Sequence, residues 1–165
     1  MVKLEAPATH YLNAALGWVE LGNPAEAKIE LQHIAEELHR HPSVLLVKWE
    51  ILAKEQKWEL AADVAYDVVQ LAPDMPDGWI KRSYALHELK RTQEAYNFLS
   101  EAGRQFPQLS IIPYNLACYA CQLGRAQEAQ RWLTRAMKMG DQTQIKAMAL
   151  KDPDLRSLRE FIEEA

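Results

Sequence analysis

Ala27, Ala61, Ala95 and Ala129 stand 34 residues apart, three steps in succession, and neighbouring columns keep the same interval. Ahead of each alanine comes Trp18, Leu52, Leu86 or Ala120. Four residues after it comes Leu31, Ala65, Leu99 or Leu133, and seven after it Ile34, Val68, Ala102 or Ala136. A fixed period of this length means stacked copies of one supersecondary unit, none able to bury its apolar face alone. The period therefore constrains the architecture more tightly than any local motif, and it directs the functional question towards binding.

Four copies align without a gap as residues 8–41, 42–75, 76–109 and 110–143. Each holds two apolar stripes at helical spacing with a short break between them. In the first copy, Tyr11, Ala14, Ala15 and Trp18 form one stripe and Ala27, Leu31, Ile34 and Leu38 the other. The break is Leu21-Gly22-Asn23-Pro24: Gly22 can close a helix in the left-handed conformation, Asn23 can cap the next, and Pro24 suits its first turn. Leu123-Gly124 repeats the break in the fourth copy. Pro42 and Pro76 head their copies, where a missing amide hydrogen costs nothing, and Pro73 and Pro107 close the preceding helices. The unit is helix, turn, helix, turn.

A 34-residue hairpin with these columns resembles the tetratricopeptide repeat. Trp58-Glu59-Leu60-Ala61 with Leu71-Ala72-Pro73 is similar to that family's second helix and closing proline, and Trp79 stands where a first-helix tryptophan is common. Tyr114-Asn115-Leu116-Ala117-Cys118-Tyr119-Ala120, then Leu123-Gly124-Arg125 and Glu128-Ala129, matches many bacterial repeats. The resemblance covers residues 8–143 and implies an all-α, right-handed superhelical solenoid of antiparallel helix hairpins. Departures are Trp49, where the other copies have Ala15, Ser83 and Ala117; Glu55-Gln56 in place of Leu-Gly; and His39 and Asp141 in place of closing prolines. The indole of Trp49 is expected to hold two helices further apart.

Residues 1–7 read as a short mixed tail without the apolar segment of a signal peptide. Residues 144–165 read as capping helices, with Ile145 and Met148 on one and Asp152-Pro153 starting the other. Leu155, Leu158, Phe161 and Ile162 would face inward there, while Arg156, Arg159, Glu160, Glu163 and Glu164 face water. Such a cap is what an open solenoid needs, and the ends read as those of a complete chain. At 165 residues and 48% apolar content the chain can bury one continuous core, with no apolar run near membrane-spanning length. A net charge of −4 argues against a nucleic-acid partner, and the expected setting is the cytoplasm without membrane attachment.

Chemistry is sparse. Cys118 and Cys121 form Cys-x-x-Cys, but they fall in the middle to late part of a first helix, far from the N-terminal dipole that stabilises thiolate, and zinc would need two more ligands. They read as small packing residues. His39 and His41 read as a solvated turn, and no phosphate loop or nucleophile signature is present. The expectation is a protein that is not an enzyme and carries no cofactor and no metal.

In the family the first helices line a groove that commonly takes peptides. Carried onto this chain, that groove comprises Leu12, Asn13, Leu16, Leu46, Glu50, Ile80, Tyr84, His87, Tyr114, Asn115 and Cys118, an apolar and aromatic floor. The cationic set that some relatives use for acidic chaperone tails is missing: the positions hold Leu12, Leu16, Val47, Asp77 and Lys81. Three apolar anchors supply roughly 5–9 kcal/mol against an association cost of about 4–15 kcal/mol. A useful partner must therefore be long or attached at several points. The reading is an interaction scaffold that docks a protein segment; the alternatives are self-association as a homo-oligomer and, by analogy of size and fold only, a secretion-type chaperone.

Overall fold

The computed structural model describes residues 4–165, so residues 1–3 of the expected tail lie outside the described residues. Among the described residues the chain forms ten α-helices, two short 3-10 segments and no strand. They are α1 (Ala8–Glu20), α2 (Pro24–Gln32), α3 (Pro42–Lys54), α4 (Trp58–Leu71), α5 (Pro76–Glu88), α6 (Thr92–Gln105), α7 (Ile111–Gln122), α8 (Ala126–Met139), α9 (Gln142–Lys151) and α10 (Arg159–Glu164). The 3-10 segments are Glu36–Leu38 and Pro153–Leu158. Helices α2, α4, α6 and α8 start at Pro24, Trp58, Thr92 and Ala126, keeping the 34-residue step, and this helical-hairpin repeat is the fold the sequence implied.

The alanine column explains the step. Ala27, Ala61, Ala95 and Ala129 are all fully buried, where nothing larger than a methyl group lets two helices close on each other. The break positions follow the same logic. Gly22 and Gly124 have φ of +76° and +75°, and Gln56 and Lys90, which replace glycine at the same register, are held at +56° and +63°. Asn23 caps α2, its Oδ1 accepting from the Glu26 amide at 3.3 Å. His41 caps α3 ahead of Pro42, with Nδ1 accepting from the Ser43 amide at 3.2 Å.

One helix is shorter than its stripe suggests. The apolar positions through Ile34 and Leu38 imply a second helix of the same length as α4, yet α2 stops at Gln32. The Ile34 carbonyl, which a continuing helix would give to Leu38, instead accepts the His39 Nε2 proton at 2.8 Å, and the Leu38 amide turns to Ala35. The side chain that replaces the closing proline thus takes the carbonyl that a longer helix would have used.

The chain divides into two compact units, one ending at Ala85 and the other running from Leu86 to Ala165, with the boundary inside α5. The first unit buries Ala8, Leu12, Ala15, Val19, Ala27, Ile34, Val44, Val47 and Ile51 together, with Leu4, Tyr11, Leu16, Trp18, Leu31 and Leu38 packed on them. The second buries Leu99, Ile112, Leu116, Tyr119, Leu133, Leu155 and Ile162. Within each unit one pair of equivalent positions exchanges bulk. Gly78 of α5 lies so close to α4 that a Cβ there would stand 2.9 Å from Val68 Cγ1 and 3.0 Å from Val69 Cγ2. One copy later the roles reverse: Gly103 of α6 faces Ile112 of α7, and its added Cβ would meet Ile112 Cγ2 at an ordinary 3.5 Å.

The C-terminal segment forms α9, a 3-10 turn and α10, with one change of face. Ile145 and Ala149 of α9 are buried, while Met148 is 49% exposed and does not join them. Asp152 caps the following turn, its Oδ1 accepting from the Asp154 amide at 3.0 Å, but the turn is 3-10 through Leu158 before α10 begins. Leu155, Leu158 and Ile162 point inward and the charged residues outward, as their spacing requires.

Candidate docking face

The first unit holds the expected site residues of α1, α3 and the first part of α5. Leu12 is not on an open face: it belongs to the buried core, stacked with Ala8, Ala15 and Val19 of its own helix. Leu16 packs half-buried on the same core, and Asn13 points to solvent. The remaining positions draw together around an aromatic group that sequence reasoning did not assemble. Tyr84 is 42% exposed and meets two indoles edge-on, Trp49 at 6.1 Å between centroids and Trp58 at 5.8 Å. Such edge contacts contribute about 0.5–1.5 kcal/mol each beyond burial and fix the ring. Beside them the Lys81 ammonium lies 4.3 Å from the Trp49 ring centroid and pairs with Glu50. Leu46 and Ile80 stand half-buried on α3 and α5.

Trp49 organises this face. Its place is taken by alanine or serine in the other copies, and in this unit the indole is buried with its Nε1 lacking an acceptor among the described residues. An unmet buried donor costs about 1–3 kcal/mol. The ring offsets that cost by supporting Tyr84 and Lys81. The signal was visible in the sequence as a departure from the column; what it would touch was not.

In the second unit the expected residues are occupied by the chain itself. Tyr114, buried on α7, donates from its hydroxyl to Asp152 Oδ2 at 2.8 Å, and the Cys118 thiol donates to the same oxygen at 3.5 Å. His87 is buried, its Nε2 at 2.9 Å from Asp154 Oδ2 and Nδ1 at 3.1 Å from Thr92 Oγ1, with its ring 4.9 Å from Tyr119. Gln122 donates to the Asp154 carbonyl at 3.1 Å, and Cys121 Sγ lies 3.0 Å from Ser157 Oγ. Asn115 stays half-buried on α7. The expectation that Tyr114, His87 and Cys118 face a partner is therefore corrected: the Asp152-Pro153-Asp154 turn covers them.

Electrostatics fit this packing. Burial, then the hydrogen bond to Asp152, pushes the Tyr114 hydroxyl well above its ordinary range. Burial and the Asp152 charge do the same to the Cys118 thiol. A thiol held protonated is a poor nucleophile and a poor metal ligand. Among the described residues no group of three or more His, Cys, Asp or Glu is placed to hold a metal ion, and no helix is long and apolar enough to cross a membrane.

Comparison with known proteins finds likeness to proteins built from such hairpins. No protein-family model matches the chain. The type IV pilus assembly protein PilF of Pseudomonas aeruginosa is 25% identical over 150 residues, covering 86% of this chain, which spans 57% of PilF's length. A solved structure of Pseudomonas aeruginosa PilF superposes with a TM-score of 0.78 at 21% identity, covering 95% of this chain and 69% of that one. TTC0263, a tetratricopeptide-repeat protein of Thermus thermophilus, superposes at 0.75 with 18% identity, covering 96% of this chain and all (100%) of that one. MamA of Desulfovibrio magneticus RS-1 superposes at 0.72 with 17% identity, covering 98% and 94% of the two chains. The 34-residue step, the buried alanine column and these superpositions identify the fold of this chain as that of the tetratricopeptide repeats.

Proposed function

We propose that the protein is a non-catalytic interaction scaffold that docks a segment of another protein on the first-helix face of its first unit, through Leu46, Ile80 and Tyr84. The observation that carries this reading is the half-exposed Tyr84 ring, held edge-on by Trp49 and Trp58 next to the Lys81–Glu50 pair. An aromatic side chain already fixed in place loses little freedom on binding, which is what makes such residues anchors. Glu50 and Lys81 beside it offer one acceptor and one donor to a peptide backbone or side chain. Likeness to a pilus assembly protein supports an assembly role, in which the scaffold holds one component for another. A cytoplasmic setting belongs to the same proposal, and fractionation of native cells checks it.

The test is affinity purification from native lysate with wild type, Ile80→Asp/Tyr84→Asp, and Asp63→Lys as a control on the exposed side of α4. Circular dichroism establishes that all three are folded. A partner captured by wild type and control but lost by at least about tenfold in the double variant supports the face. Equal capture by all three sinks it. A mass that rises with concentration in wild type alone assigns the face to a second copy of the chain.

A further inference from the structure

We infer that the second unit carries a separate docking cleft, between α6 and α8, for an acidic protein segment that presents a bulky apolar side chain. The cleft has a volume of about 600 Å³, and Phe106, Ile112, Leu116, Trp132 and Met139 contribute its apolar lining. Ser100 and Gly103 keep the α6 wall low. Its aromatic rings are fixed before anything binds: Tyr96 donates its hydroxyl to Glu128 at 2.6 Å and accepts the Trp132 indole N–H at 3.1 Å.

Charge selects the occupant. Arg104 and Arg135 line this cleft, and Arg131 stands with Arg135 and Trp132 in the depression that adjoins it. Among the described residues none of these three guanidinium groups is paired with a carboxylate. Arg131 donates to the Gln127 carbonyl at 3.3 Å, and Arg135 lies 5.6 Å from the Trp132 ring centroid. The carboxylate of the rim, Glu128, is already engaged by Tyr96 and Arg125. Two unneutralised arginines on the cleft and a third beside it, in a chain of net charge −4, form a local field opposite to that of the whole molecule. Guanidinium forks match carboxylates in two parallel hydrogen bonds, and a cleft of this volume has room for a side chain beside the charge. A nucleic acid would need a broad basic surface, and an anionic bilayer a flat one; this is a cleft with an aromatic wall.

Because this surface shares no residue with the α3–α5 face, its test is independent of the scaffold proposal. The probe is a fluorescein-labelled peptide Asp-Glu-Asp-Phe-Leu-Asp-Glu-Asp, with a version carrying Lys for every acid and a version carrying Ser for Phe and Leu. Anisotropy should show binding of the first peptide alone, weakened several-fold when salt is raised to about 0.5 M. Arg104→Glu/Arg135→Glu should weaken it by at least about tenfold, while Lys54→Glu on the exposed side of α3 leaves it unchanged. Both substituted arginines are exposed, and circular dichroism checks that the double variant is folded. Equal binding to the double variant, equal binding of the Lys peptide, or no binding of the acidic peptide overturns the inference. So does binding confined to phosphatidylglycerol vesicles, which would make the arginines a membrane contact.

Discussion

At the scale of single residues, the break between the helices of each hairpin imposes a backbone requirement that only half of the copies meet with glycine. Gln56 and Lys90 carry a side chain at positive φ, which costs roughly 1–2 kcal/mol, offset in part by the greater freedom that glycine would lose on folding. Gln56→Gly and Lys90→Gly should each raise stability by about 0.5–1 kcal/mol in denaturant titrations; no gain in either would show that their side chains make compensating contacts. Gly78 and Gly103, both inside helices, should respond with opposite signs to alanine. Gly103→Ala gains up to about 1 kcal/mol of helix propensity, whereas Gly78→Ala drives a methyl group into Val68 and Val69 and should lose about 1–2 kcal/mol net. The period, the caps at Asn23 and Asp152 and the left-handed glycines were legible because each is a local rule written in one or a few residues. Leu12 was misplaced because its stripe is wide enough to serve either core or surface, and only the packing of α1 on α3 decides between them.

Among elements, the segment 152–158 shows how a local motif can be read without its destination. Asp-Pro-Asp identified a helix start; that the start docks on α7 and on His87 depends on residues far away in sequence, Tyr114 and Cys118 as well as that histidine. Asp152→Ala removes the acceptor of the Tyr114 hydroxyl together with the cap of the turn, at a cost of about 2–3 kcal/mol. Hydrogen exchange of residues 153–164 should accelerate accordingly, and Asp152→Asn, which keeps one acceptor oxygen, should lose less. Equal protection in all three would mean that apolar packing of Leu155 and Ile162 alone holds the segment. The same contacts set a pH response. Cys118 and Tyr114 stay protonated in the folded state, while the unfolded chain releases their protons above the ordinary values of 9.0 and 10.0. The unfolded state then binds fewer protons, so this stabilisation is complete below pH 9 and declines as pH rises beyond it, by up to about 1.4 kcal/mol per pH unit for each group. Cys118→Ala should flatten the first part of that decline, between pH 9 and 10; an unchanged slope would show that the thiol ionises freely in the folded protein.

Over the whole molecule, the two units give stability a grain. Contacts in such arrays are mostly with the next element along, so local opening should follow the unit boundary rather than spread evenly. Leu133→Ala empties a fully buried site on α8 and should cost about 3 kcal/mol. Amide protection should fall first between Leu86 and Ala165 and later, or not at all, in α3 and α4; a uniform fall would mean one cooperative block. The exchange of bulk between Val69–Gly78 and Gly103–Ile112 carries a further meaning. Excising the third copy would bring valine against isoleucine, an overfilled joint, and duplicating it would set glycine against glycine, a void. Each junction is keyed to its own neighbour, so the copies work like links numbered for assembly: the chain specifies their order as well as their shape.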